Sequence, residues 1–254
     1  MSRLGRRGLL IGAPLLLMAA GRDIPATRPL SRMDLPWWRT RHQQVLERLR
    51  QGPADLLLIG DSITQDLERR GPLPQQDFGV VWNRFYAPRR AVNLGFKGDT
   101  TASVIWRLRN GEISSVAPKV AQLLIGANNF GRVHWDAVDT FSGIEAIVTE
   151  LRQRLPRTKI IVLSVLPSRR STWVDAQTTA LNQLLAARFG HMDNTQFIAV
   201  VGAFLKNGRL DEGAFYDGFL QPPEPLLHPS AAGWLHMAEM VEPTLSAMMG
   251  DARR

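Results

Sequence analysis

The sequence predicts an α/β protein, one large domain built on a mainly parallel sheet. Three observations carry that expectation. Short apolar runs such as DLLLI (55–59) and KIIVLSV (159–165) alternate with longer stretches of helical spacing. The runs are closed by glycine or proline, residues that stop a strand and open a turn. Being apolar throughout rather than at every second position, they fit strands covered on both faces, the condition of a parallel sheet between helices.

The elements follow in order. Residues 22–35, with Pro25 and Pro29, read as an extended lead-in, and Pro36 follows. Trp37–Arg50 is expected to be a helix because Trp38, Val45, Leu46 and Leu49 recur at helical spacing and Gly52-Pro53 stops it. Asp55–Ile59 is the first strand, and a helix is expected after the turn Gly60-Asp61-Ser62. Ala91–Asn93 is a second strand entering a glycine loop, with a helix over Thr100–Arg109. Val120–Ile125 is a strand and Trp135–Leu155 a long helix ended by Pro156. Lys159–Val165 is a strand, Val174–Phe189 a helix, Gln196–Val201 a strand and Ser230–Met249 the last helix. In such sheets ligands bind beyond the carboxyl ends of the strands, so chemistry is sought in those loops.

Composition narrows the function. The chain has 254 residues, 44% hydrophobic and 21% charged, which excludes disorder and fibrous repeats. It has no cysteine, which excludes disulfides, a thiolate nucleophile and cysteine-ligated metal. The net charge of +8 is spread along the chain without a Lys/Arg block, so nucleic-acid binding is disfavoured.

Residues 1–21 read as a secretory signal: Arg3, Arg6 and Arg7, then the apolar run Leu9–Ala20, then Gly21. The run is shorter than the ~20 residues of a spanning helix, so no membrane span is expected in the mature form. Arg6-Arg7 admits twin-arginine as well as general export, giving a periplasmic or secreted protein, with an uncleaved anchor as the alternative.

Three strand-end segments and one segment near the C-terminus hold candidate chemistry. Ser62 on a tight strand-to-helix turn suits a nucleophile, although Asp or Ser there also suits a helix cap. In Asn93-Leu94-Gly95-Phe96-Lys97-Gly98-Asp99 the glycines allow close backbone approach, and a glycine N–H can stabilise an oxyanion; a plain turn reads the same way. Asn128, in Gly126-Ala127-Asn128-Asn129, offers a side-chain amide. His228 stands in Leu227-His228-Pro229-Ser230 before the last helix, whereas His42, His134, His191 and His236 read as structural or solvent-exposed. Trp135 and Trp173 lie in or beside strand-end loops, where an aromatic face can stack on a sugar.

Taken in order, GDS, NxGxxGD, GxNN and the late LHPSAAG resemble the four blocks of the SGNH, or GDSL-type, hydrolase family over about residues 55–245. Their wording is most similar to the branch that holds the catalytic subunits of platelet-activating-factor acetylhydrolase. The resemblance implies a three-layer α/β/α sandwich of flavodoxin-like type. It implies Ser62 as nucleophile and His228 as general base, an oxyanion hole of Ser62 N–H, Gly98 N–H and the Asn128 side chain, and no metal or cofactor. The domain then runs over 54–250, with 22–53 an N-terminal extension and helix.

One departure affects the triad acid. The family places an aspartate three residues before the histidine, and here that residue is Pro225. Glu224 is the first substitute, Asp217 the second, and a backbone carbonyl the third, since a triad is defined by geometry. The expected function is an exported serine esterase removing short acyl groups, acetyl above all, from a small-molecule or carbohydrate ester; an extracellular polysaccharide such as cellulose, or cell-wall glycan, is one target. Acyl transfer on the same fold and a non-catalytic carbohydrate-binding protein are the alternatives. The oligomeric state is not fixed by the sequence.

Overall fold

A computed structural model describes residues 22–253; the expected signal segment, 1–21, lies outside the described residues. Five parallel strands form the sheet: β1 (Leu56–Gly60), β2 (Ala91–Gly95), β3 (Val120–Leu124), β4 (Lys159–Leu163) and β5 (Thr195–Ile198). Their order is β2-β1-β3-β4-β5, the flavodoxin-like order, with its switch point between β1 and β3. Every residue of β1, β2 and β3 is buried, so both faces are covered and the fold is α/β with helices flanking the sheet.

The helices are α1 (Pro36–Arg50), α2 (Ser62–Gln65), α3 (Thr101–Arg107), α4 (Ala127–Gly131), α5 (Ala137–Arg154), α6 (Thr172–Phe189) and α7 (Ala231–Met249). α3, α5 and α6 pack side by side, while α7 packs on β3 and on short helical turns within 74–81. A two-stranded hairpin, β6 (Leu205–Lys206) with β7 (Arg209–Leu210), stands apart from the main sheet. No helix among the described residues is long and apolar enough to cross a membrane.

Several boundaries differ from the sequence reading, each for a local reason. β5 ends at Ile198 instead of Val201 because the Ser164 hydroxyl accepts the Val200 N–H and the chain turns into a 3₁₀ segment. α5 begins at Ala137, not Trp135: the Trp135 N–H is taken by the Asn129 carbonyl, and Asp136 caps the helix through the Asp139 N–H. α3 gives way at Leu108 to a wide turn in which Asn110 and Gly111 leave helical geometry. The lead-in carries one 3₁₀ turn, Pro25–Thr27, and is fastened to α3 by Leu30 N–H to Ala102 O (3.0 Å) and the Thr101 hydroxyl to Ala26 O (2.9 Å).

Strand register brings the loops of interest to one level. Gly60 pairs with Gly95 on one side and with Leu124 on the other, so β2, β1 and β3 end together. At Gly95 a side chain is excluded: a Cβ would strike Gln65 N and lie 2.8 Å from Asp61 O, which lets α2 settle across the strand end.

Candidate active site

Ser62 is the first residue of α2, so its N–H has no acceptor within the helix. Asp61 precedes it as the cap, its Oδ1 accepting the Ile63 N–H at 3.0 Å. The Ser62 hydroxyl lies 3.1 Å from His228 Nε2. His228 Nδ1 lies 2.7 Å from Asp217 Oδ1, and Asp217 Oδ2 accepts the N–H groups of Leu227 (2.7 Å) and His228 (2.6 Å).

Asp217 reaches the histidine from eleven residues away because the chain doubles back. Phe215 bridges Pro229, Tyr216 N–H donates to His228 O (3.0 Å), and Ser230 N–H donates to Ala214 O (2.8 Å). Residues 218–226 loop out of that pairing, with the prolines 222, 223 and 225 in the loop. Glu224, the first-choice acid of the sequence reading, sits on this loop: it lines a cavity together with Ser62 and His228, but its carboxylate has no hydrogen bond or ion pair among the described residues. Geometry therefore places Asp217 on the imidazole, and its buried carboxylate is fully engaged there. Burial opposes the charged imidazolium, yet the hydrogen bond and charge of Asp217, with Asp66 and Asp61 beyond, hold the His228 pKa above its ordinary value.

Phe96–Asp99 is a tight turn closed by Asp99 N–H to Phe96 O (3.1 Å), with Gly98 at φ +75° as a type II turn requires at its third position. The Gly98 N–H makes no hydrogen bond among the described residues. Asn128 Nδ2 donates to Asp99 O (3.0 Å) and to Asp61 Oδ2 (3.2 Å). Presenting that amide to a developing oxyanion means exchanging the longer of the two bonds. Burial pushes the Asp61 carboxyl up to about 7, against the pull of the Ile63 N–H and of His228, so near neutrality its hold on Asn128 is weakened.

Sequence reasoning did not find what stands behind these groups. Tyr216 stacks on the His228 ring (5.4 Å between centroids, 12° between planes), and its hydroxyl donates to Asp66 Oδ2 at 2.6 Å. The Asp99 side chain is a buried acceptor for Arg32 Nη1 (2.7 Å), Trp38 Nε1 (2.8 Å) and Arg107 Nε (2.9 Å). Arg32 also donates to Lys97 O at 2.9 Å, so the N-terminal segment grips the Gly98 turn directly. Breaking a buried pair costs about 3–5 kcal/mol; since Asp99 keeps Arg107, Arg32→Ala is expected to lose about 2 kcal/mol, a melting-temperature drop of about 5 °C by calorimetry. An unchanged melting temperature would mean that this clasp contributes nothing to stability.

The cavity at Ser62 and His228 is small, about 180 Å³, and is also lined by Asp66, Arg69, Lys97 and Glu224. Among the described residues no group of three or more potential metal ligands occurs. Trp135 is half-buried and Trp173 is 39% exposed at the start of α6.

Known proteins match the chain in sequence and in fold. Residues 58–234 match the model of the GDSL-like Lipase/Acylhydrolase family. Over 192 residues, 74% of this chain and 79% of the other, the sequence is 31% identical to platelet-activating factor acetylhydrolase IB subunit alpha2 of Rattus norvegicus. In fold the chain is similar to a GDSL-like lipase of Bacteroides thetaiotaomicron (TM-score 0.57, 16% identity, 84% and 97% of the two chains). It is likewise similar to a carbohydrate acetylesterase family member of Sinorhizobium meliloti (TM-score 0.58, 17% identity, 78% and 99%).

Proposed function

Because the chain belongs to the GDSL-like lipase/acylhydrolase family and is a carboxylic ester hydrolase of that type, we propose that it removes short acyl groups, acetyl above all, by way of Ser62, His228 and Asp217. The observation that carries the assignment of roles is the unbroken chain of contacts from the Ser62 hydroxyl through both imidazole nitrogens to a buried carboxylate. Serine hydroxyl is a weak nucleophile alone, and an imidazole oriented through its other nitrogen supplies the base.

Ser62 Oγ attacks the ester carbonyl carbon as its proton passes to His228 Nε2. The carbonyl oxygen becomes an oxyanion facing the N–H groups of Ser62 and Gly98 and the Asn128 amide. His228 then returns the proton to the alcohol oxygen, the C–O bond breaks and the alcohol leaves. Water, deprotonated by His228, attacks the acyl-serine, and the acid departs as the Ser62 hydroxyl is restored. Asn128→Ala is expected to lower kcat about 10²–10³-fold, the usual cost of one oxyanion donor, with KM little changed. A rise in KM at constant kcat would make Asn128 a ground-state binding residue.

The cavity volume favours a short acyl group, since sites for larger ligands run from about 300 Å³ upward. A series of p-nitrophenyl esters tests this: acetate is expected to be hydrolysed fastest, and octanoate turned over as fast as acetate would overturn it. The alcohol is proposed to be a carbohydrate, which the exposed Trp173 and the fold shared with a carbohydrate acetylesterase family member support. Export is proposed from the basic-then-apolar start of the chain. Amino-terminal sequencing of the mature protein tests it, with Met1 retained in a soluble cytoplasmic product as the contrary result.

A further inference from the structure

Most cations around the site are already engaged. Arg32 is spent on Asp99, Arg69 on Tyr216 and Asp66, and Arg170 on the Ala127 carbonyl. Lys97 and Arg132 are different: neither side chain has a hydrogen bond or ion pair among the described residues. Both flank the proposed oxyanion turn. Lys97 lines the cavity with Ser62 and His228, and the Arg132 guanidinium lies so close to Gly98 that a Cβ there would collide with it. Two cations with no hydrogen bond of their own beside one opening produce a field that draws in and holds an anion.

An aromatic face accompanies them. Trp173 is 39% exposed, and its ring is fixed edge-on by Phe130 (6.3 Å, 89°) and His134 (5.6 Å, 72°). Phe130 belongs to α4, the helix that carries Asn128, and His134 belongs to the loop that carries Arg132. His134 has φ +51°, a conformation costly for a side-chain-bearing residue, so the loop is held in that shape by its surroundings. A rigid exposed indole is a stacking platform for a sugar ring.

From this juxtaposition we propose that the alcohol half of the substrate is an acidic sugar, its ring on Trp173 and its anionic group held by Arg132 and Lys97. The inference rests on the esterase reading of the site and adds the substrate's charge. A guanidinium and an ammonium serve a carboxylate, a sulfate or a phosphate alike. Asp66 faces Lys97 as well, but its charge is shared with the Tyr216 hydroxyl, Arg69 and His228. Glu224, on the 218–226 loop, is the carboxylate that would oppose the two cations, so Glu224→Gln is expected to increase the preference for acid.

The test compares kcat/KM on mono-acetylated glucuronic acid and mono-acetylated glucose at low ionic strength, with the acetylated 6-sulfate and 6-phosphate as further arms. The acid is expected to be favoured about tenfold, the size of one charge-assisted hydrogen bond. That ratio should shrink in ~0.5 M salt and fall toward one in Arg132→Ala and Lys97→Ala. The larger ratio among the three acidic sugars identifies the anion. Trp173→Ala should raise KM on the neutral and the acidic ester together. A wild-type ratio near one, or one that persists in both charge variants, overturns the proposal. So does hydrolysis of p-nitrophenyl acetate with turnover of no sugar ester, which leaves the esterase reading standing. If no ester is turned over, that reading falls instead, and calorimetry of a glucuronate oligosaccharide against its neutral counterpart decides: tighter binding lost in Arg132→Ala supports an acidic-sugar site, and equal binding overturns it.

Discussion

Ser62→Ala is expected to abolish ester hydrolysis, with kcat reduced by about 10⁴–10⁶, while the protein stays folded. The hydroxyl lines the cavity, and its one side-chain partner is His228, so its loss leaves no apolar void of consequence. The proposed oxyanion donors and His228 remain, and they are expected to account for the residual rate. The covalent role is checked with a fluorophosphonate probe, expected to label the protein once, at Ser62. Labelling that survives Ser62→Ala would falsify the assignment.

Asp217→Asn is expected to cost about 10³–10⁴ in kcat/KM, close to the loss seen when a triad aspartate becomes an amide. The size follows from the degree of engagement: Asp217 is 1% exposed, and its two oxygens accept from the imidazole and from two backbone N–H groups. An amide cannot accept at both ends, so it either loses the Leu227 and His228 N–H groups or turns an N–H toward Nδ1 and selects the wrong tautomer. The pH profile gives a second reading. The base works when neutral, so kcat/KM falls as pH drops through the His228 pKa, which lies above the usual histidine value. Removing the Asp217 charge lowers that pKa, so the acid limb should move to lower pH. Glu224→Gln is expected to change kcat/KM on a neutral ester less than about threefold, as for an exposed, unpartnered carboxylate. The opposite ranking of the two variants would return the role to Glu224.

The strands were legible because a buried parallel strand writes itself as an unbroken apolar run, and the segments of Ser62, Gly98 and Asn128 because each follows a strand; the His228 segment was legible from its own motif before the last helix. Asp217 was less legible because its position relative to His228 depends on how 213–217 pairs with 227–230, a non-local contact with no periodicity of its own. The clues were local: Tyr216-Asp217-Gly218 as a turn, and three prolines marking a loop rather than a fixed linker. The Asp99 cluster was invisible for a similar reason. Arg32, Trp38 and Arg107 are dispersed over 76 positions of the sequence and meet only when the lead-in folds back onto the sheet edge. Asp66 and Tyr216, 150 residues apart, meet only across the closed site.

The clasp on Asp99 bears on how far this enzyme is modular. A fragment cut at residues 58–234 would carry Ser62, Gly98, Asn128, Asp217 and His228, every residue of the proposed mechanism. It would lack Arg32 and Trp38, two of the three donors that anchor Asp99, and Glu242, which pairs with the buried Arg89 at 2.7 Å. Its Asp99 would be a buried carboxylate short of partners directly behind the carbonyl that orients Asn128. Transplanting the catalytic outline, or fusing a partner in place of the amino-terminal arm, would separate the proposed reacting groups from the frame that aims them. The arm is the part of this hydrolase that a graft must bring along.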